Sequence, residues 1–186
     1  MPNPNLPGGP MGIFVPAIDG AWSFIGGTWT KTRSAAGIYF MRKTAGAATT
    51  TAVLNIMQAL ERIVGAVRNA PMGSELKTGP LTGFDLVYAI GTANLTSLTP
   101  TFDETVFADG ATPAVSNPSA VSPTTATNTL QADTTKPYVK SFAVSSPFII
   151  GKNAPDYGEF FELSVVDPGT SVFDLYGIQL KMGTRV

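Results

Sequence analysis

Histidine and cysteine are both missing from this chain of 186 residues. Without histidine the usual neutral-pH proton shuttle and the commonest metal ligand are gone, so Ser–His–Asp and Cys–His arrangements cannot be built. Without cysteine there is no disulfide frame, no thiolate chemistry and no Cys-ligated zinc. Charge is scarce as well: 13% of residues are Asp, Glu, Lys or Arg, where about a quarter is usual. Twelve basic and thirteen acidic side chains leave a net charge of −1, and no basic block supplies the cations that phosphate neutralisation needs. No nucleic-acid partner is expected. No apolar run reaches the length of a membrane helix, so no membrane span is expected either. The first Lys or Arg is Lys31, so the N-terminus lacks the positive region of a secretory signal, and synthesis in a cytoplasm is the expectation.

What the chain does contain is β pattern and turn residues. Apolar residues make up 44% of it, and Thr, Ser, Asn and Gly replace the missing charge. The clearest region is the end. Gly158–Val166, a turn at Asp167-Pro168-Gly169, and Val172–Met182 read as a hairpin. In its second strand Tyr176, Ile178, Leu180 and Met182 alternate with Gly177, Gln179 and Lys181, which predicts one core face shared by the four large residues. In the first strand Phe161, Leu163 and Val165 share a face, while Phe160 and Val166 load the other.

Upstream, Pro2, Pro4, Pro7, Pro10, Gly8 and Gly9 exclude helix and central strand, and predict an extended arm over 1–16. The remainder, 17–186, reads as one domain. Strands are expected over Thr28–Arg33, with Trp29, Lys31 and Arg33 on one face, and over Gly37–Met41. Ala45–Ala52 reads as a spacer. Leu54, Met57, Leu60, Ile63, Val64 and Val67 recur at helical spacing and predict a helix over about 55–68, although Val53–Met57 also fits a short buried strand. Phe84, Leu86, Tyr88 and Ile90 alternate with Asp85, Val87 and Ala89 in a further strand. Thr101–Phe107 and Lys136–Ser146 follow, the latter with Tyr138, Phe142 and Val144 on one face. Between them, 108–135 carries three prolines and no aromatic residue, and reads as a long functional or disordered loop. About eight short strands with one helix argue for an antiparallel β-sandwich or jelly roll.

The sequence holds few residues arranged for chemistry. No Walker A or dinucleotide fingerprint occurs, and no cofactor is expected. Glu159 and Glu162 fall on opposite strand faces, as do Asp103 and Glu104, so a glycosidase pair is not expected and these read as solvated charges. No EF-hand spacing is present and no metal site is expected. Asn94-Leu95-Thr96 reads as a chance sequon. Trp22, Trp29 and Tyr39 could form a sugar-stacking platform, although aromatics in a sandwich more often fill core or interface.

Two stretches carry a resemblance. Gly83-Phe-Asp-Leu-Val-Tyr-Ala-Ile-Gly-Thr-Ala-Asn-Leu-Thr-Ser-Leu98, continuing through Thr101–Phe107, is one. The other runs from Pro137-Tyr-Val-Lys through Phe161-Glu-Leu to Ser171-Val-Phe-Asp-Leu-Tyr-Gly-Ile-Gln-Leu180. Both resemble small structural proteins of tailed-bacteriophage virions in their Thr/Ala-rich turns and aromatic strands. The resemblance implies a non-enzymatic capsid decoration (cement) protein located in the virion. Such a protein would be a homotrimer bound to the major capsid protein and to its own copies. The candidate contacts are then Pro7, Pro10, Ile13, Phe14, Trp22 and Trp29, on or just behind the arm. The alternative is a carbohydrate-binding, host-adhesion β-sandwich of a tail fibre or baseplate.

Overall fold

Alternation of large apolar with small or polar residues drives the chain into strands, and in the computed structural model these stack as two antiparallel sheets. The structure describes residues 11–44, 49–64, 80–106, 112, 114–116, 119–148, 150 and 157–183. The strands are β1 (Met11–Pro16), β2 (Trp22–Ile25), β3 (Thr28–Arg33), β4 (Tyr39–Thr44), β5 (Thr49–Asn55), β6 (Leu81–Gly91) and β7 (Ser97–Val106). Beyond them come β8 (Ala114–Ser116), β9 (Val121–Ser122), β10 (Tyr138–Phe148), β11 (Tyr157–Val166) and β12 (Val172–Met182), with one helix, α1 (Ile56–Val64). The first sheet runs β3-β4-β12-β6-β10-β9, with β1 also paired to β12; the second runs β2-β5-β11-β7-β8. This is the antiparallel β-sandwich expected from the strand pattern.

The two inner faces meet in an aromatic core. Phe84 of β6 stacks on Phe142 of β10 at 4.7 Å between ring centres, and meets Phe161 of β11 and Phe102 of β7 edge-on at 5.2 and 5.3 Å. Such pairs add about 0.5–1.5 kcal/mol each beyond the area they bury. Leu54, Leu86, Tyr88, Leu163, Phe173 and Leu180 are fully buried around them. The expected inward faces of β6, β10 and β11 hold, and Trp29 of β3 turns inward against Phe24 and Phe173.

Four expectations change. First, Met11–Pro16 is not a free arm: β1 pairs with the edge of β12 from Met11↔Met182 to Pro16↔Gly177, and Val15 is fully buried. Ile13 and Val15 are apolar on one side, so they gain more by completing the core than by remaining extended in water. Pro7 and Pro10 lie outside the described residues.

Second, Val53–Val64 divides between both readings, while the expected end of the helix at 65–68 lies outside the described residues. Ala52 and Leu54 face inward from β5, part of the expected spacer being strand, and α1 then begins at Ile56. The Asn55 side-chain oxygen accepts the Gln58 backbone N–H at 2.9 Å, an N-cap that ends the strand and starts the helix. Ile56, Ala59 and Leu60 form its buried stripe.

Third, the described part of 108–135 is not structureless. It holds β8 and β9, buries Ala126, and is tied to the sandwich by backbone bonds from Leu95 to Asn128, Ala126 to Leu98 and Gln131 to Ile90.

Fourth, Tyr176 does not share a face with Ile178, Leu180 and Met182. The β12–β6 register slips between Leu175↔Tyr88 and Gly177↔Val87, a bulge that inserts one residue. Phe173 and Leu175 point inward before it, Ile178 and Leu180 after it, and Tyr176 is turned outward against Phe40, Val87 and Ala89.

Candidate functional site

That bulge shapes the most distinctive surface feature. Along one edge β12 first pairs with β4, from Phe173↔Lys43 to Leu175↔Met41, and then with β1 from Gly177 onward. Where β4 leaves off and β1 begins, the outer face of the first sheet opens into a cleft of about 800 Å³. Gly177 sits at the changeover with φ +152, and a Cβ there would overlap the Val15 carbonyl oxygen. Only glycine lets β1 approach so closely.

Each wall comes from a different part of the chain. Phe14 and Pro16 come from β1, Arg33, Ile38 and Tyr39 from the β3–β4 hairpin, and Thr134, Thr135 and Pro137 from the segment before β10, while Phe40, Val87 and Tyr176 pack together as the floor. Phe14 and Tyr39 remain 45% and 44% exposed, so part of each ring stays accessible, that of Tyr39 beside the Lys31 and Arg33 cations that lie over it. Phe40 and Tyr176 pack 4.9 Å apart beneath them. Burial, with the nearby Asp174 charge adding to it, pushes the Tyr176 hydroxyl above its usual pKa, so it stays a neutral donor and acceptor.

A planar ion pair crosses the floor. Arg42 Nε and one terminal nitrogen donate to the two carboxylate oxygens of Asp174, both at 2.7 Å. Asp174 is buried while Arg42 is half-exposed, its guanidinium 5.3 Å from the Phe40 ring. The hydrogen bond to Asp174 raises the Arg42 pKa against the opposing effect of burial. A guanidinium has five N–H donors. Two are taken by Asp174, and among the described residues the others have no partner, so they are available to a ligand.

The residues singled out from sequence separate. Trp22 is 7% exposed and packs against Phe24 and Phe161, and Ile13 is buried in the same core. Trp29 is half-buried, its indole N–H donating to the Gly26 carbonyl at 3.1 Å. The expected platform of Trp22, Trp29 and Tyr39 therefore does not form, because both indoles are used by the core; Tyr39 alone reaches the cleft. Phe14 is the one described candidate contact that is exposed. Alternation did place Asp103 apart from Glu104 and Glu162 apart from Glu159, but cross-strand pairing brings Asp103 of β7 and Glu162 of β11 together on the outer face of the second sheet. Burial raises the pKa of both, and for Glu162 the Asp103 charge adds to the rise. Among the described residues no group of three or more Asp and Glu could hold a metal ion. No helix among them is long and apolar enough to cross a membrane.

No protein-family model and no curated protein matches the chain. Solved structures similar in layout include a xylan-binding domain of carbohydrate-binding module family 22. It is 12% identical over 94% of this chain and 96% of that one, with a TM-score of 0.45. Another is the C-terminal family 22 carbohydrate-binding module of a Clostridium thermocellum protein, at 11% identity, the same coverage and a TM-score of 0.42. A structure of carbohydrate-binding modules from the β-sandwich superfamily follows at 10% identity, 91% and 56% coverage and a TM-score of 0.38. Values this low assign neither family nor ligand.

Proposed function

We propose that this chain is a non-catalytic glycan-binding β-sandwich of the host-adhesion kind, and that the cleft between β1 and β4 is its saccharide site. The observation that carries the reading is the pairing of exposed Phe14 and Tyr39 rings with the half-open Arg42–Asp174 pair in one cleft. A pyranose has apolar C–H faces and a rim of hydroxyls. Aromatic rings cover the first, and a fixed planar charge pair addresses adjacent hydroxyls on the second. The scarcity of other charge leaves the cleft walls mainly apolar, as ligand sites usually are. Binding the full chain to a glycan array, then titrating the best ligand, tests this. Tyr39→Ala is expected to weaken affinity about tenfold with little change in melting temperature, because the ring belongs to neither buried cluster of the sandwich. An array with no bound glycan, or an unaffected Tyr39→Ala variant, refutes it.

A capsid-decoration role has separate support in the second sheet. Its two edge strands, β2 and β8, carry Ile25 and Val115, 60% and 68% exposed. Apolar edge strands invite pairing with another chain, which for this reading means the major capsid protein and further copies in a trimer. Native mass measurement and co-sedimentation with phage heads test it; a monomer that leaves heads bare removes it.

A further inference from the structure

The cleft is not electrically neutral. Its charged lining residues are Arg33, Arg42 and Asp174. Arg42 and Asp174 cancel one another through their two hydrogen bonds, which leaves Arg33 over. The Arg33 guanidinium carbon lies 5.8 Å from the centre of the Tyr39 ring, and the Lys31 ammonium lies 4.8 Å from it. Both cations are exposed, and neither has an ion-pair partner among the described residues. The carboxylate nearest the far end, Asp133, is already paired with Lys136 at 3.4 Å and adds no free negative charge. So in a chain with few charges and a net charge of −1, Arg33 lines the cleft without a counter-ion among the described residues, while Lys31, outside the lining, lies against the same Tyr39 ring.

We infer that the saccharide bound here is anionic, a glycan whose residues carry carboxylates, with Arg33 as its charge-reading residue; this rests on the cleft being the glycan site. The Arg33 guanidinium lies over the Tyr39 ring, and its fork of N–H donors matches the two oxygens of a planar carboxylate. Lys31 adds an unoriented positive charge beside it. A neutral sugar uses the rings and the Arg42–Asp174 pair but leaves Arg33 idle. A uronate engages all of them.

The test uses the full chain with polygalacturonate and alginate, each beside its carboxyl-reduced counterpart, which keeps the backbone and removes the charge. The acidic form is expected to bind about tenfold tighter or more, the scale of a charge-assisted hydrogen bond. High salt should shrink that ratio severalfold, and Arg33→Gln should bring it close to one. Equal binding of acidic and reduced forms overturns the acidic preference while leaving a glycan site in place. A preference that survives in Arg33→Gln overturns the role given to Arg33. Failure of every polymer, charged and reduced, removes the glycan site together with this inference.

Discussion

Replacing Asp167 by asparagine should be among the most damaging single changes in the described sandwich. Asp167 closes β11 and opens the turn into β12, and it is buried with Lys43, whose ammonium donates to one of its carboxylate oxygens. Its other oxygen accepts the backbone N–H groups of Gly169, Thr170 and Ser171 at 2.7, 3.2 and 3.1 Å. The amide oxygen of the substituted side chain could still accept those three, so the turn survives and the loss isolates the charge. Lys43 would be left fully buried without its counter-ion, and breaking a buried pair in this way costs about 3–5 kcal/mol. For a chain of this length each kcal/mol lowers the melting temperature by about 2–4 °C, so a fall of roughly 6–20 °C is expected. Urea unfolding gives the same quantity from the midpoint and slope. The Lys43→Met, Asp167→Asn double variant removes both charges and should recover most of the loss. The acid limb adds a second check. Burial alone would raise the Asp167 pKa, but hydrogen bonds from Lys43, Ser171 and Gly169 outweigh it and hold the carboxyl below its usual value. A depressed folded pKa contributes stability above the unfolded value, about 3.9, that is lost as pH falls through the folded one. That loss should be missing in Asp167→Asn. A variant within about 1 kcal/mol of the parent, or a double variant no better than the single, refutes the reasoning.

Two further perturbations address the cleft's frame and the opposite sheet. Gly177→Ala places a methyl group against the Val15 carbonyl and 2.9 Å from the Phe14 ring; it should cost about 2–4 kcal/mol and expose Met11–Pro16 to limited proteolysis, and an unchanged melt and digest would refute the close approach. Glu162→Gln should stabilise the protein at neutral pH by about 0.2–1 kcal/mol, the scale of a cross-strand pair. Both Asp103 and Glu162 have raised pKa values, so their contribution is present at low pH and lost as pH rises through the folded values. The gain in the variant should therefore vanish near pH 4; a gain that persists there would show that charge is not its source.

Much of the fold was legible because alternation is a local property. Phe84, Leu86, Tyr88 and Ile90 could share a face only as a strand, and alternation set Trp29 on the face opposite Thr28, Thr30 and Thr32 without saying which face is inward. Asp167-Pro168-Gly169 announced its turn, and Gly169 indeed adopts φ +94. The cleft was not legible. Phe14, Arg33, Tyr39, Asp174 and Tyr176 are brought together only by β1 and β4 sharing one edge of β12. The same limit hid the Asp103–Glu162 pair, since each residue looked solvated within its own strand.

Residue order alone determined that this chain folds as a β-sandwich and that chemistry based on histidine or cysteine is closed to it. Tertiary structure decided which aromatics fill the core and which stay exposed. One inserted residue before Gly177 inverts the alternation of β12, sending Tyr176 outward while Ile178 and Leu180 stay in. A bulge is a relation between two strands, and a period of two read along either strand alone carries no trace of it.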